Sequence, residues 1–205
     1  MVGSHGHRLA ASASWRGPVS RCLFAVLVLA AGQPAARAAV LSRPAASPEY
    51  AVKSAFLYNF ATFVEWPPGA PGASAPQVTI CLLGADPFGE TLDQTVAGKT
   101  IGSRPLAVKR ISRPTEAAGC AVVFVGVGQG LRLPSLFADL RGLPVLTVGD
   151  AEGFAEAGGI IGMFVENNRV RFEINLGAAD RARLKISSRL LSLARIVGSK
   201  RSEGP

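Results

Sequence analysis

Residues 158–176, GGIIGMFVENNRVRFEINL, constrain the fold more than any other stretch, because they read as two strands joined by a polar turn. Asn167 and Asn168 tolerate the positive φ that a tight hairpin demands. Beyond them Val170, Phe172 and Ile174 alternate with Arg171, Glu173 and Asn175. A strand has a side-chain period of two, so this alternation fixes the register. It commits the first three residues to an apolar layer and turns Arg171 and Glu173 toward water or a partner. The basic segment 180–197 follows directly. Its Leu184, Leu190, Leu191, Ala194 and Val197 approximate a helical stripe, which predicts a final helix covering that layer. The stretch contains no catalytic group.

The first 38 residues read as an address. Arg8, Arg16 and Arg21 precede the apolar run 22–31, and Ala36-Arg37-Ala38 forms a small-x-small cleavage site, so a secretory signal is expected with cleavage after Ala38. Cys22 opens the apolar run instead of following it, which argues against a lipid-attachment cysteine. The run is shorter than the roughly 20 residues a spanning helix needs, and no later stretch reaches that length. The exported chain is expected to comprise a linker at 39–47, one domain at 48–198 and a disordered tail at 199–205. With about 165 residues it holds a single core.

Cleavage also removes charge and histidine. The net charge of +8 falls to +4 when Arg8, Arg16, Arg21 and Arg37 are lost, and His5 and His7 are the only histidines. A mature chain without histidine cannot assemble a Ser-His-Asp or Cys-His arrangement or an ordinary zinc site. What charge remains is concentrated locally. Arg181, Arg183, Lys185, Arg189, Arg195, Lys200 and Arg201 occur with no acid among them. Export removes nucleic acid as their partner, leaving a solvated face, an acidic protein or an anionic lipid surface. Cys81 and Cys120 are the cysteines that remain, and in an oxidising compartment they are expected to form a disulfide.

In chain order, Ser47 offers an N-cap and Pro48 suits a first helical turn, opening a helix that runs to Trp66-Pro67-Pro68. Its apolar arc spreads over about 200°, from Ala55 through Val52 and Phe56 round to Leu57, with Asn59 and Lys53 as interruptions; one packing face needs about half of that. After a Pro/Gly/Ala loop at 69–76, VTICLLG at 78–84 and AVVFVGV at 121–127 are apolar runs bounded by turn signals, as in strands covered on both faces. A more amphipathic strand at 104–111 and a short VLTV strand at 145–148 complete the set. Helices are expected between Asp86 and Gly98 and over 134–140, with at most a turn and a half of helix at 152–157. The order strand, helix, strand, strand, helix, strand predicts an α/β three-layer sandwich. Its central sheet is mostly parallel, with a C-terminal antiparallel hairpin and helix added. The common order 2-1-3 puts the strand of Cys81 beside the strand that Cys120 opens.

Few residues invite chemistry. Gly126-Val127-Gly128-Gln129-Gly130 imitates a dinucleotide fingerprint with Asp150 downstream, but the third glycine is one place early and Pro134 interrupts the helix that should follow. A sheet-edge loop is expected there. Asp86, Asp150 and Glu152 fall near the carboxyl ends of strands, where α/β sheets bind ligands, yet Asp86 and Asp150 both suit helix caps. Ser187 and Ser188 lack a base, with only Lys185 nearby. No enzyme, cofactor or metal is expected.

Several phrases together resemble the YfiR family of exported bacterial proteins: KSAFLYNFATFVEWP, ICLLGADPFG, CAVVFVG, VLTVGDAEGFAEAGGIIGMF and NRVRFEINLGAADRARLKISSRLLSLA. The resemblance spans about 49–197. It implies a periplasmic regulator that binds the periplasmic part of an inner-membrane diguanylate cyclase and represses it, controlling cyclic-di-GMP, often as a homodimer. Cys81 and Cys120 match one recurrent cysteine pair of the family. A second pair, carried by some members around GFAEAGGIIG, is absent here, with Ala155 and Gly162 nearby. The alternative is a periplasmic sensor domain that binds a small ligand through the loops at 84–88 and 126–130 and acts on a histidine kinase or another membrane partner.

The partner surface is expected on the first helix. If Phe56, Phe60 and Phe63 satisfy its core-facing arc, Leu57 and Val64 are surplus, and Trp66 stands beside two rigid prolines as an interface anchor. Leu57, Val64 and Trp66 are therefore expected to contact a partner, with Arg171 and the basic final helix tuning the encounter. The alternative is that all three pack under the 69–76 loop.

Overall fold

A computed structural model describes residues 47–126 and 132–198 of the chain. The expected signal, most of the linker, the loop at 127–131 and the tail lie outside the described residues. The first helix, α1 (Pro48–Thr62), opens with proline in its first turn and passes directly into β1 (Val64–Glu65). A short α2 (Pro71–Ser74) precedes β2 (Val78–Gly84), followed by α3 (Thr91–Val96), β3 (Thr100–Ile101) and β4 (Arg104–Ile111). A 3-10 turn (Pro114–Gly119) leads to β5 (Val122–Gly126), and α4 (Leu133–Asp139) to β6 (Leu146–Gly149). The hairpin β7 (Ile161–Glu166) and β8 (Arg169–Asn175) comes next. The chain continues through α5 (Leu176–Arg181), β9 (Lys185–Ile186), α6 (Ser188–Leu191) and β10 (Arg195–Val197).

Among the described residues the central sheet has the order β10-β8-β7-β6-β5-β2-β4-β3, and β1 pairs separately with β9. The β4-β2-β5-β6-β7 run is parallel, while β7–β8 and β3–β4 are antiparallel. The fold is thus the expected mixed α/β arrangement with a mostly parallel sheet between helices. The alternation along β2 shows the layers. Val78, Ile80 and Leu82 join one apolar core with Leu57 and Phe60 of α1, whereas Cys81 and Leu83 join the other with Leu136 of α4. The expected 2-1-3 neighbourhood is present, and Cys81 is bonded to Cys120 with their Cα atoms 5.9 Å apart.

The hairpin forms as its sequence requires. Asn167 and Asn168 sit at φ 49° and 59°, the left-handed conformation of a two-residue turn, and Val165 pairs with Val170 and Met163 with Phe172. Two expectations are corrected here. Glu173 does not face water: it is buried and receives Arg195 at 2.6 Å. The final segment is not one helix. Arg183 adopts φ 57°, which ends α5, and Ser187 caps α6 by accepting a hydrogen bond from the Leu190 backbone N–H. The open edges of β1 and β8 then recruit β9 and β10 as strands, because pairing satisfies backbone groups that a surface helix leaves to water.

Two smaller expectations also change. Asp86 accepts from the Phe88 and Gly89 backbone N–H groups, capping a turn, and the helix begins only at Thr91. Residues 152–157 form turns, within the limit expected of them, but Asp150 is bonded to Tyr50 and Lys53 instead of capping them.

Candidate functional site

The rotation of α1 about its axis decides what the molecule shows to a partner. The residues it buries are Lys53, Ser54, Leu57, Phe60 and Ala61, an arc of about 120° at 100° per residue. A lysine within that arc is the unusual choice, since an ionised amine is rarely taken from water without a counter-charge. Lys53 Nζ lies 2.6 Å from Asp150 Oδ2 and 2.5 Å from Glu49 Oε1, and 4.5 Å from the centre of the Tyr50 ring. Tyr50 donates its hydroxyl hydrogen to the same Asp150 oxygen at 2.8 Å. Burial, reinforced by this bond, raises the Tyr50 phenol well above its ordinary pKa. One turn along, the Ser54 hydroxyl bonds Thr95 of α3 at 3.0 Å. These polar pins fix the helix so that Leu57 is fully buried and Val64 nearly so.

The surplus apolar arc is therefore real but lies on the other flank. Leu57 and Val64, expected at an interface, are core; Val52, Phe56, Asn59 and Phe63 occupy the flank that borders β8. Trp66 is half-buried. Its Nε1 donates to the Ala121 carbonyl at 3.2 Å, and its ring covers Gly72, where an added Cβ meets the indole at 2.2 Å. It packs under the 69–76 loop and holds that loop to the sheet. Arg171 is exposed, 3.9 Å from Glu166, on the side of β8 opposite Val170 and Phe172.

Three clefts surround α1. The first, about 310 Å³, opens where β6 stops pairing with β7 at Gly149 and Gly162. It is lined by Lys53, Asp150, Glu152, Glu173 and Arg195. Gly162 is tightly covered there: an added Cβ meets Glu173 Cγ, its cross-strand neighbour, at 3.1 Å, so the glutamate would have to shift by a few tenths of an ångström. The second, about 440 Å³, lies between the start of α1 and the hairpin, with Val52, Val165, Arg169 and Val170 in its walls. The third, about 290 Å³, runs between α1, β8 and α6. Phe56, Phe60 and Phe172 form an aromatic floor there, while Arg189 stands 5.5 Å over the Phe63 ring. Among the described residues no cluster of acids and cysteines suits a metal ion, and no helix is long and apolar enough to cross a membrane.

A family model described as YfiR/HmsC-like matches residues 50–195, which is most of the chain. The chain belongs to the YfiR/HmsC-like family. Its members are periplasmic regulators of diguanylate cyclase signalling in general, and a disulfide fits that oxidising compartment. Similar solved structures are more distant than this family. A conserved domain protein from Vibrio cholerae O1 biovar El Tor strain N16961 is 11% identical, with 70% of this chain and 59% of that one covered and a TM-score of 0.48. The ABC domain from Streptococcus pneumonia, solved in complex with L-Trp, is 10% identical, with 58% and 55% covered and a TM-score of 0.44. This YfiR/HmsC-like chain thus spans a little over half the length of each.

Sequence reasoning saw Lys53 only as an interruption in an apolar arc and did not single out Tyr50, Leu193 or Ile196. A signal for the first was present. A lone lysine within the 53, 57, 60, 61, 64 spacing calls for a carboxylate partner, and Asp150 stands at a strand end.

Proposed function

We propose that this chain is a periplasmic regulatory protein that binds the periplasmic sensor part of an inner-membrane diguanylate cyclase and represses it, lowering cyclic-di-GMP. The family match over 50–195 carries this reading. The surface chemistry supports it: apolar clefts edged by arginine suit protein contact, and two of the three carboxylates expected at strand ends, Asp86 and Asp150, are engaged in ion pairs. In this reading the exported chain begins near Ala39, and Arg171, exposed on the hairpin, tunes the approach of the partner electrostatically. Deleting the gene from its source bacterium raises cellular cyclic-di-GMP, and supplying the exported chain restores it. An unchanged level on deletion sinks the reading.

A second reading, a small-ligand sensor acting on a membrane partner, draws on the 310 Å³ cleft and its buried charges. Thermal unfolding of the purified chain against a panel of small amines and amino acids tests it, and a midpoint unmoved across the panel removes it.

A further inference from the structure

We propose that the seam between α1, the β7–β8 hairpin and the edge strand β10 is a docking groove for an amphipathic helix whose apolar stripe is flanked by carboxylates. Placing that helix in a membrane partner rests on the function proposed above.

Four large apolar side chains are exposed among the described residues: Val52 at 46%, Val165 at 50%, Leu193 at 67% and Ile196 at 40%. All four border this seam. Val52 and Val165 both line the 440 Å³ cleft, and Leu193 lines the 290 Å³ cleft. Ile196 pairs in register with Ile174, on the sheet face that carries Phe172. The flank of α1 from Val52 through Phe56 to Phe63 joins the two clefts into one track. At 1.5 Å per residue that track is about 17 Å long, or roughly three turns of a seated helix. A rod packed beside a helix and over a hairpin buries apolar area along its whole length, which is how helix-in-groove recognition works.

Charge selects the occupant. Arg169 lines the 440 Å³ cleft and Arg189 the 290 Å³ cleft, and neither has a carboxylate partner among the described residues; Glu49, the acid in those walls, is engaged with Lys53. Carboxylates on the incoming helix complement both. A second copy docked through this same face does not, because it brings the same two arginines and, as its acid, only the Glu49 already engaged with Lys53.

The test places a photo-crosslinking benzoylphenylalanine at Leu193 or Val165 of the full chain, in the source bacterium deleted for its own copy, with exposed Arg141 on the α4 side as control. The expected result is an adduct to one inner-membrane protein from both positions and none from Arg141. The linked peptide should carry apolar residues three and four apart with Asp or Glu beside them. The Arg169→Glu, Arg189→Glu double variant should lower adduct yield about tenfold at unchanged periplasmic abundance. An adduct between two copies, to lipid, within the chain or to a peptide without acids overturns the proposal, as does no adduct at all. Cyclic-di-GMP in the deletion strain separates the two ideas. The expected adducts with an unmoved level leave the groove standing and remove the cyclase reading, while a raised level without adducts does the reverse.

Discussion

Lys53 Nζ of α1 and Asp150 Oδ2 at the end of β6 lie 2.6 Å apart, with side-chain exposures of 4% and 8%, so a buried ion pair ties the first helix to the carboxyl end of the sheet. Neither charge has a ready path to water. Removing Asp150 leaves the buried lysine only the half-exposed Glu49, and removing Lys53 leaves the buried carboxylate only the Tyr50 hydroxyl, so Lys53→Met or Asp150→Leu alone should cost up to about 3–5 kcal/mol. The double variant should recover most of that, since an apolar pair of similar volume has no charge to desolvate. Urea unfolding of the three proteins checks this. A single variant as stable as the wild type contradicts it.

Tyr50 sets a pH dependence. Its folded pKa is raised above the ordinary value of 10.0, chiefly by burial and then by the bond to Asp150. The proton is therefore held more tightly in the folded state, so the stability it contributes is complete below 10.0 and lost as pH rises above it. The urea midpoint of Tyr50→Phe should lie below that of the wild type near neutrality. The gap between them should stay constant up to about pH 10 and narrow progressively above it. A gap that widens with pH reverses the sign and the explanation.

The rotation of α1 is testable by two truncations on opposite sides. Leu57, with no exposed surface, should lose about 2–5 kcal/mol as Leu57→Ala, whereas Val52, 46% exposed, should lose less than about 0.5 as Val52→Ala. Comparable losses at the two positions refute this helix orientation.

The disulfide closes a loop between residues 39 apart in sequence, joining β2 to the segment that leads into the neighbouring parallel strand β5. In the chain-entropy model this contributes about 4 kcal/mol, so Cys81→Ala, Cys120→Ala should unfold at a markedly lower urea concentration. Both sulfurs are buried, so thiol reagents should find no free cysteine at these positions in the exported protein, even after unfolding, until a reductant is added. Two thiols reactive on unfolding alone exclude the bond.

Local sequence determined the elements whose evidence is short-range. The Asn167-Asn168 turn, the period-two hairpin, the apolar runs of β2 and β5 and the neighbourhood of Cys81 and Cys120 follow from side-chain period, turn chemistry and the crossover rule, each readable within a few residues. Even the surplus apolar arc of α1 was legible as a quantity. Its direction was not. A helix with apolar residues over more than half its circumference has several orientations of similar hydrophobic gain, and small polar contacts then choose among them. Here Lys53 with Asp150 and Ser54 with Thr95, residues 97 and 41 apart in sequence, turn Leu57 and Val64 inward and leave Val52 and Phe56 at the border. Likewise, the basic segment after the hairpin has enough helical period to suggest a helix. Only the assembled sheet presents the free edges of β8 and β1, and pairing with those edges made strands of Arg195–Val197 and Lys185–Ile186.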